Sequence, residues 1–393
     1  MTLHETAEFA KKFGLGTGIG IGAIILLVVL FNIGLFIKNM LLPPKIAPAN
    51  EKLGKLPPIE FPQSQIDGTF TYTLNTVDNN LPTDLPDRVI VYPMVIPQPN
   101  LNNLQDIKNK VASLGFVDSS GNVLPEISRG GSLYEWDEPS GLQRKIIYDN
   151  VTYNFSLDSN YLTSLDVLNG KNIKDQPTAF TTAQSFLSSI NSLPADLDFN
   201  LTTDPDPAND YTVAPELYTI DRGTGEKVKA TSLSDAKVIR VDFYQKAIEY
   251  SLTAATGDDL ARFQNFDLKI PIMYPHPPYS TMDFYVASGA DQAQVMAGSY
   301  AYQAVDTSAN TTPDQLATYP IKPAAQAFEE LKAGKAYVAS YYGSDSQVVI
   351  KKVYLAYFIG ENTQKYLMPV FVFEGENGFF AYVSAVQDAP VQQ

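Results

Sequence analysis

YPIKPAAQAFEELKAG (319–334), QVVIKKVYLAYFI (347–359), YLMPVFVFE (366–374) and FFAYVSAV (379–386) follow one another near the C-terminal end of the chain. Pro320 and Pro323 open a predicted helix with Ala324, Ala327, Phe328 and Leu331 on one face, and Gly334 stops it. Proline at the start and glycine just past the end is the asymmetry a helix prefers. The three apolar runs after it read as strands, separated by Gly360-Glu361-Asn362 and Glu376-Asn377-Gly378, which are residues that tolerate turn conformations. The expectation is an antiparallel meander with one helix across its apolar face.

Working toward the N-terminus, the same pattern is read twice more. Asn100 is placed to cap a helix with Leu101, Leu104, Ile107, Val111 and Leu114 at helical spacing and Gly115 at its end. A hairpin from Lys145 to Leu157, turning at Asp149-Asn150, follows. After Pro177, the residues Phe180, Ala183, Phe186, Leu187 and Ile190 mark another helical face. Strands are expected after it at 236–250, 281–287 and 294–305, where Ile239, Val241 and Phe243 alternate with Arg240, Asp242 and Tyr244. The fold class that results is α+β, with an N-terminal transmembrane helix followed by repeated modules of one amphipathic helix packed on an antiparallel meander. The divisions fall at 1–12 (cytoplasmic tail), 13–37 (transmembrane helix), 38–63 (stalk), 64–165, 175–318 and 319–388 (three α+β modules).

Phe13 to Ile37 is a run of 25 residues without a charge, between Lys11-Lys12 and Lys38. Its helical length exceeds the roughly 30 Å hydrocarbon core. It is longer than a signal-peptide core and is read as an uncleaved signal anchor. Gly14, Gly18 and Gly22 recur every four residues and form a bare helix-packing face, suited to close approach and to a homodimer through the membrane helix. Pro43, Pro44, Pro48, Pro57, Pro58 and Pro62 make the following segment an extended stalk. The expected location is the cell membrane, single-pass, with the C-terminal bulk extracytoplasmic and the lipid bilayer as one partner.

The segments YPIKPAAQAFEELKAG, IKKVYLAYF and YLMPVFVFEG resemble the PepSY-type module. More specifically they are similar to the C-terminal portion of the YycH and YycI membrane-anchored regulators, with a fainter echo over 177–305. The resemblance implies a non-enzymatic role, in which an external domain contacts envelope proteins while a membrane helix acts on a sensor kinase. It carries packing motifs and no catalytic residues.

Composition narrows the chemistry independently. The chain has 393 residues, 28 Lys+Arg against 43 Asp+Glu, a net charge of −15, no cysteine and two histidines. Disulfides, thiolate metal sites and multi-histidine cages are excluded, and the acidic balance argues against nucleic acid as a partner. No nucleophile elbow, phosphate-binding loop or HExxH sequence occurs. Asp196, Asp198, Asp204, Asp206 and Asp210 offer oxygen ligands but lack a calcium-loop spacing, so a solvated loop is expected. His276 is a loop histidine without a partner histidine. Tyr341, Tyr342, Tyr354 and Tyr357 are expected to pack across strands before they line a groove. No catalytic, cofactor or metal residue is assigned. The function expected is a non-enzymatic binding or regulatory module for envelope proteins; a peptide, small-ligand or glycan-binding module is the alternative, and a two-carboxylate hydrolase the third.

Overall fold

The computed structural model describes residues 48–387 apart from 67, 78, 171–172, 200–213, 256–262, 290 and 309–315. The cytoplasmic tail, the 13–37 span and its Gly14, Gly18 and Gly22 face lie outside the described residues, as do Asp204, Asp206 and Asp210.

The described residues correct the expected fold class. They are mainly β-sheet, with four α-helices, and they do not repeat a helix on its own meander. None of these helices is long and apolar enough to cross a membrane. The transmembrane, single-pass and signal-anchor readings, and the membrane location drawn from them, therefore gain no support from the fold and are set aside.

Nine strands form one antiparallel sheet that joins the expected first and second modules. Their order is Lys227–Lys229, Glu216–Ile220, Val238–Asp242, Met282–Ser288, Ala293–Tyr300, Phe155–Asp158, Lys145–Asp149, Leu133–Asp137 and Ile127–Gly130. The seam is the pairing of Gly298–Tyr300 with Phe155–Leu157. Local periodicity identified both strands, but it carries no information on pairing across some 140 residues of chain. Helices Asn103–Ser113 and Gln176–Ser189 cover one face, where Trp136, Tyr148, Phe243 and Phe284 are fully buried. Asp175 caps the second helix by accepting from the Thr178 N–H at 2.7 Å.

A second sheet, seven-stranded, holds the C-terminal segments. Thr71–Leu74, Gln347–Phe358, Tyr366–Gly375, Phe379–Ser384 and Tyr337–Ser340 run side by side, with Ile272–Met273 also on Gln347–Phe358 and Tyr92–Pro93 on Tyr366–Gly375. Strands from all three expected modules thus meet here. Leu367 to Phe373 is buried without a break, because both faces of this central strand are covered. On one face Phe328 of helix Ala324–Lys332 meets Phe373 at 5.9 Å between ring centroids. On the other, Phe61 packs on Phe358 at 4.9 Å and stacks on Tyr337 at 5.2 Å.

That second cover corrects the stalk. Leu56 and Ile59 are buried, Phe61 joins the aromatic cluster, and the Tyr319 hydroxyl donates to the Gly54 carbonyl at 2.7 Å. Proline prevents helix in this segment, as expected, but an extended chain with apolar residues between its prolines serves as a strap on a core. The two sheets are tied by Gln303, whose amide donates to the Gly360 and Asn362 carbonyls at 2.8 and 2.9 Å and accepts from the Gln364 N–H at 3.0 Å.

Phe373→Ala should cost about 3–5 kcal/mol, the range for emptying a fully buried aromatic site, whereas Val77→Ala, at a fully exposed position, should stay within about 0.5 kcal/mol. Urea unfolding midpoints of the two variants measure both.

Candidate functional site

Most candidate side chains turn out to be structural. His276 is half-exposed and its Nε2 lies 3.0 Å from Glu361 Oε1, a surface pair. Asp196 accepts from the Gln245 amide at 3.0 Å and the Tyr302 hydroxyl at 2.9 Å. Asp198 is buried on a short strand pairing with Tyr244–Gln245. Among the described residues no group of three or more potential metal-ligating side chains converges. The four tyrosines do not share a groove: Tyr357 is buried and donates to the Ile90 carbonyl, Tyr341 packs edge-on against Phe70 and Phe379, and Tyr342 is exposed.

The densest ionisable cluster lies on the face of the nine-stranded sheet away from the two helices. Arg240 Nε and Nη2 donate to both Asp242 oxygens at 2.8 and 2.9 Å, and its Nη2 is 3.9 Å from Asp283 Oδ2. Tyr279 stacks under the guanidinium at 3.9 Å, and Lys227 sits 3.4 Å over the Tyr285 ring. Asp242 and Asp283 are cross-strand neighbours, the close carboxylate pair a hydrolase would need. Burial pushes the Asp283 carboxyl up to about 6, with Arg240 pulling against it. Arg240, however, chelates one member and reaches the other, so the pair is committed to an ion network that a reacting substrate would have to break.

Two concavities are better candidates. The larger, about 1010 Å³, lies between the end of helix Asn103–Ser113 and the start of helix Gln176–Ser189. Thr178, Thr181, Thr182 and Ser185 line it from one flank of the second helix, with Gln292 and Gln294 also in the lining and the Glu138–Arg144 ion pair beside them.

The other, about 880 Å³, opens on a gap in the edge of the seven-stranded sheet. Gln347–Phe358 is paired along its inner side, from Ile350 to Phe358, with Tyr366–Gly375. Along its outer side, among the described residues, it is paired at its two ends. Thr71–Leu74 runs parallel to Gln347–Ile350, closing with the Asn75 N–H on the Ile350 carbonyl at 2.8 Å. Ile272–Met273 then runs parallel to Tyr357–Phe358, opening with the Tyr357 N–H on the Pro271 carbonyl at 2.8 Å. No strand among the described residues pairs with this edge over residues 351–356, roughly 20 Å at about 3.3 Å per residue.

The gap has a local cause at each end. Pro271 has no N–H to continue the ladder toward Leu355. At the other end the chain leaves the edge through a turn at Thr76–Asn79, where the Asn79 N–H reaches the Thr76 carbonyl and Asn79 has φ 54°. A register shift between Ile350 and Lys352 marks a bulge. Past that bulge the Tyr357 and Ile359 N–H groups point to the outer side, so by the two-residue repeat the N–H and C=O of Val353 and Leu355 point there too. The groove walls are Thr76, Val77 and residues 80–85 on one side and Leu268–Pro271 on the other, and Lys351–Leu355 is the strand it exposes.

Sequence reasoning missed this site. Pro271 directly after an apolar strand, and Lys351-Lys352 interrupting an alternation, were its visible signals; neither says which strand lies opposite.

No family model and no curated protein matches the chain, so the PepSY-type likeness rests on the quoted residues alone. Among solved structures it is similar to an uncharacterized protein from Eubacterium rectale, at 11% identity over 79% of this chain and 89% of that one, with a TM-score of 0.31, a likeness too loose to build on.

The Asp283 environment sets a pH dependence. Its carboxyl is at about 6 in the fold against a reference of 3.8, so between these values the native state keeps a proton the unfolded chain has released. Stability should fall as pH rises through that window, by up to about 3 kcal/mol for this group. Asp283→Asn should flatten the profile relative to the parent chain in urea midpoints taken from pH 4 to pH 7.

Proposed function

We propose that this chain is a non-enzymatic protein-binding module that receives an extended segment of a partner protein in the sheet-edge gap at residues 351–356. The observation that carries this reading is the run of edge backbone at Val353 and Leu355, without a strand partner among the described residues, between two strands that pair with the same edge on either side. A partner segment laid there gains main-chain hydrogen bonds from Val353 and Leu355, and side-chain pockets from the groove walls; this is recognition by strand addition. The flanking strands hold the edge in place before binding, which lowers the ordering cost that association must overcome.

Val353→Pro isolates the main-chain contribution. Its N–H faces the gap and takes no part in the inner ladder, so proline here blocks addition while sparing the fold. Peptides selected from a displayed random octapeptide library on the full chain should bind the parent and Val353→Ala, and bind Val353→Pro at least tenfold more weakly, ~1.4 kcal/mol. Failure to select any peptide, or equal binding to a folded Val353→Pro chain, overturns the reading.

A hydroxylated small ligand in the polar cleft is the second reading, favoured by the hydroxyl flank Thr178, Thr181, Thr182 and Ser185 facing Gln292 and Gln294. In a glycan array the parent chain should then retain a ligand that a Thr181→Val, Ser185→Val double variant releases; an array without hits removes this reading.

A further inference from the structure

Resting on the strand-addition reading, we infer that the gap selects a segment of about four to six residues in which apolar side chains alternate with Asp or Glu. An added strand extends both faces of the sheet at once, with successive side chains going to opposite faces. The two faces of the exposed strand differ in chemistry.

Directly opposite residues of an antiparallel pair share a face. Val353 and Leu355 lie opposite Phe373 and Phe371, and Phe373 is the residue that packs on Phe328 of the covering helix. Every second side chain of an added strand therefore continues an apolar layer. Leu81, Leu85, Leu268 and Ile270 line the same groove and supply apolar walls.

The intervening side chains fall beside Lys352 and Tyr354, which lie opposite Glu374 and Val372 on the other face. Lys351 and Lys269 line the groove as well. Among the described residues its charged lining is Lys269, Lys351, Lys352 and Asp84, in a chain whose net charge is −15. The lysine ammonium donors along this groove favour a segment that brings carboxylates over one that brings further ammonium groups.

The lysines are already paired, and that does not close the site. Lys351 is 2.7 Å from Glu376, Lys269 is 3.7 Å from Glu249 and Lys352 is 3.9 Å from Glu374. The Lys351 and Lys269 pairs carry exposed carboxylates, and such pairs hold little energy. An ammonium carries three donors, so each lysine takes an incoming carboxylate without giving up the first.

The test uses three labelled seven-residue peptides alternating valine with glutamate, serine or lysine, read by fluorescence anisotropy on the full chain. The glutamate peptide should bind about tenfold tighter than the serine peptide at low salt, ~1.4 kcal/mol, and the lysine peptide weakest. That preference should shrink near 0.5 M salt and vanish in a Lys351→Glu, Lys352→Glu double variant. All three should weaken on Val353→Pro. Equal binding of the glutamate and serine peptides, both lost in Val353→Pro, overturns the charge selection and leaves strand addition standing. No binding of any peptide, or binding indifferent to Val353→Pro and displaced by dodecanoate, overturns both in favour of an amphiphile in the groove.

Discussion

Gln347–Phe358 has two sides that are treated differently by the rest of the molecule, and most of the architecture follows from that difference. Its inner side is consumed by Tyr366–Gly375, the strand buried on both faces. Its outer side must be finished by chain arriving from elsewhere, and two short strands arrive, from residues 71–74 and 272–273. They anchor the start and the middle of the chain on the C-terminal sheet. An unpaired edge inside a sheet is normally closed or blunted. Here Pro271 and the Thr76–Asn79 turn each stop their strand before the two meet.

The burial pattern explains why the open stretch persists without unravelling the sheet. Val353 and Leu355 keep their side chains on the helix-bearing face, and Leu355 is 6% exposed. The inner ladder and the apolar layer hold the strand, so its outer hydrogen-bonding groups at Val353 and Leu355 can face a groove with no strand partner among the described residues. Water satisfies such groups at an accessible edge.

The Arg240 network shows the opposite use of polar groups on a sheet. Arg240 between Asp242 and Asp283, with Tyr279 beneath it and Lys227 over Tyr285, gathers charge on a face that no long helix covers. Arg240 holds both oxygens of Asp242, which also accepts from the Ser280 N–H at 3.1 Å. Burial beside this network is what raises the Asp283 carboxyl, with Arg240 pulling against it.

The chain's own residues determined the local elements: the helix opened by Pro320–Pro323 and ended at Gly334, the three C-terminal strands, the hairpin at Asp149-Asn150, and the lack of cysteine chemistry. These depend on spacing within a dozen residues, where backbone geometry and side-chain period act directly. Only the tertiary structure decided that Gly298–Tyr300 pairs with Phe155–Leu157, that the proline-rich segment straps a core through Leu56, Ile59 and Phe61, and that residues 351–356 have no outer neighbour strand among the described residues. Each of these joins segments far apart in the chain, and hydrophobic alternation says that a strand has a buried face without saying what lies beside it. A gap is a property of two strands that fail to meet, and no single segment records it.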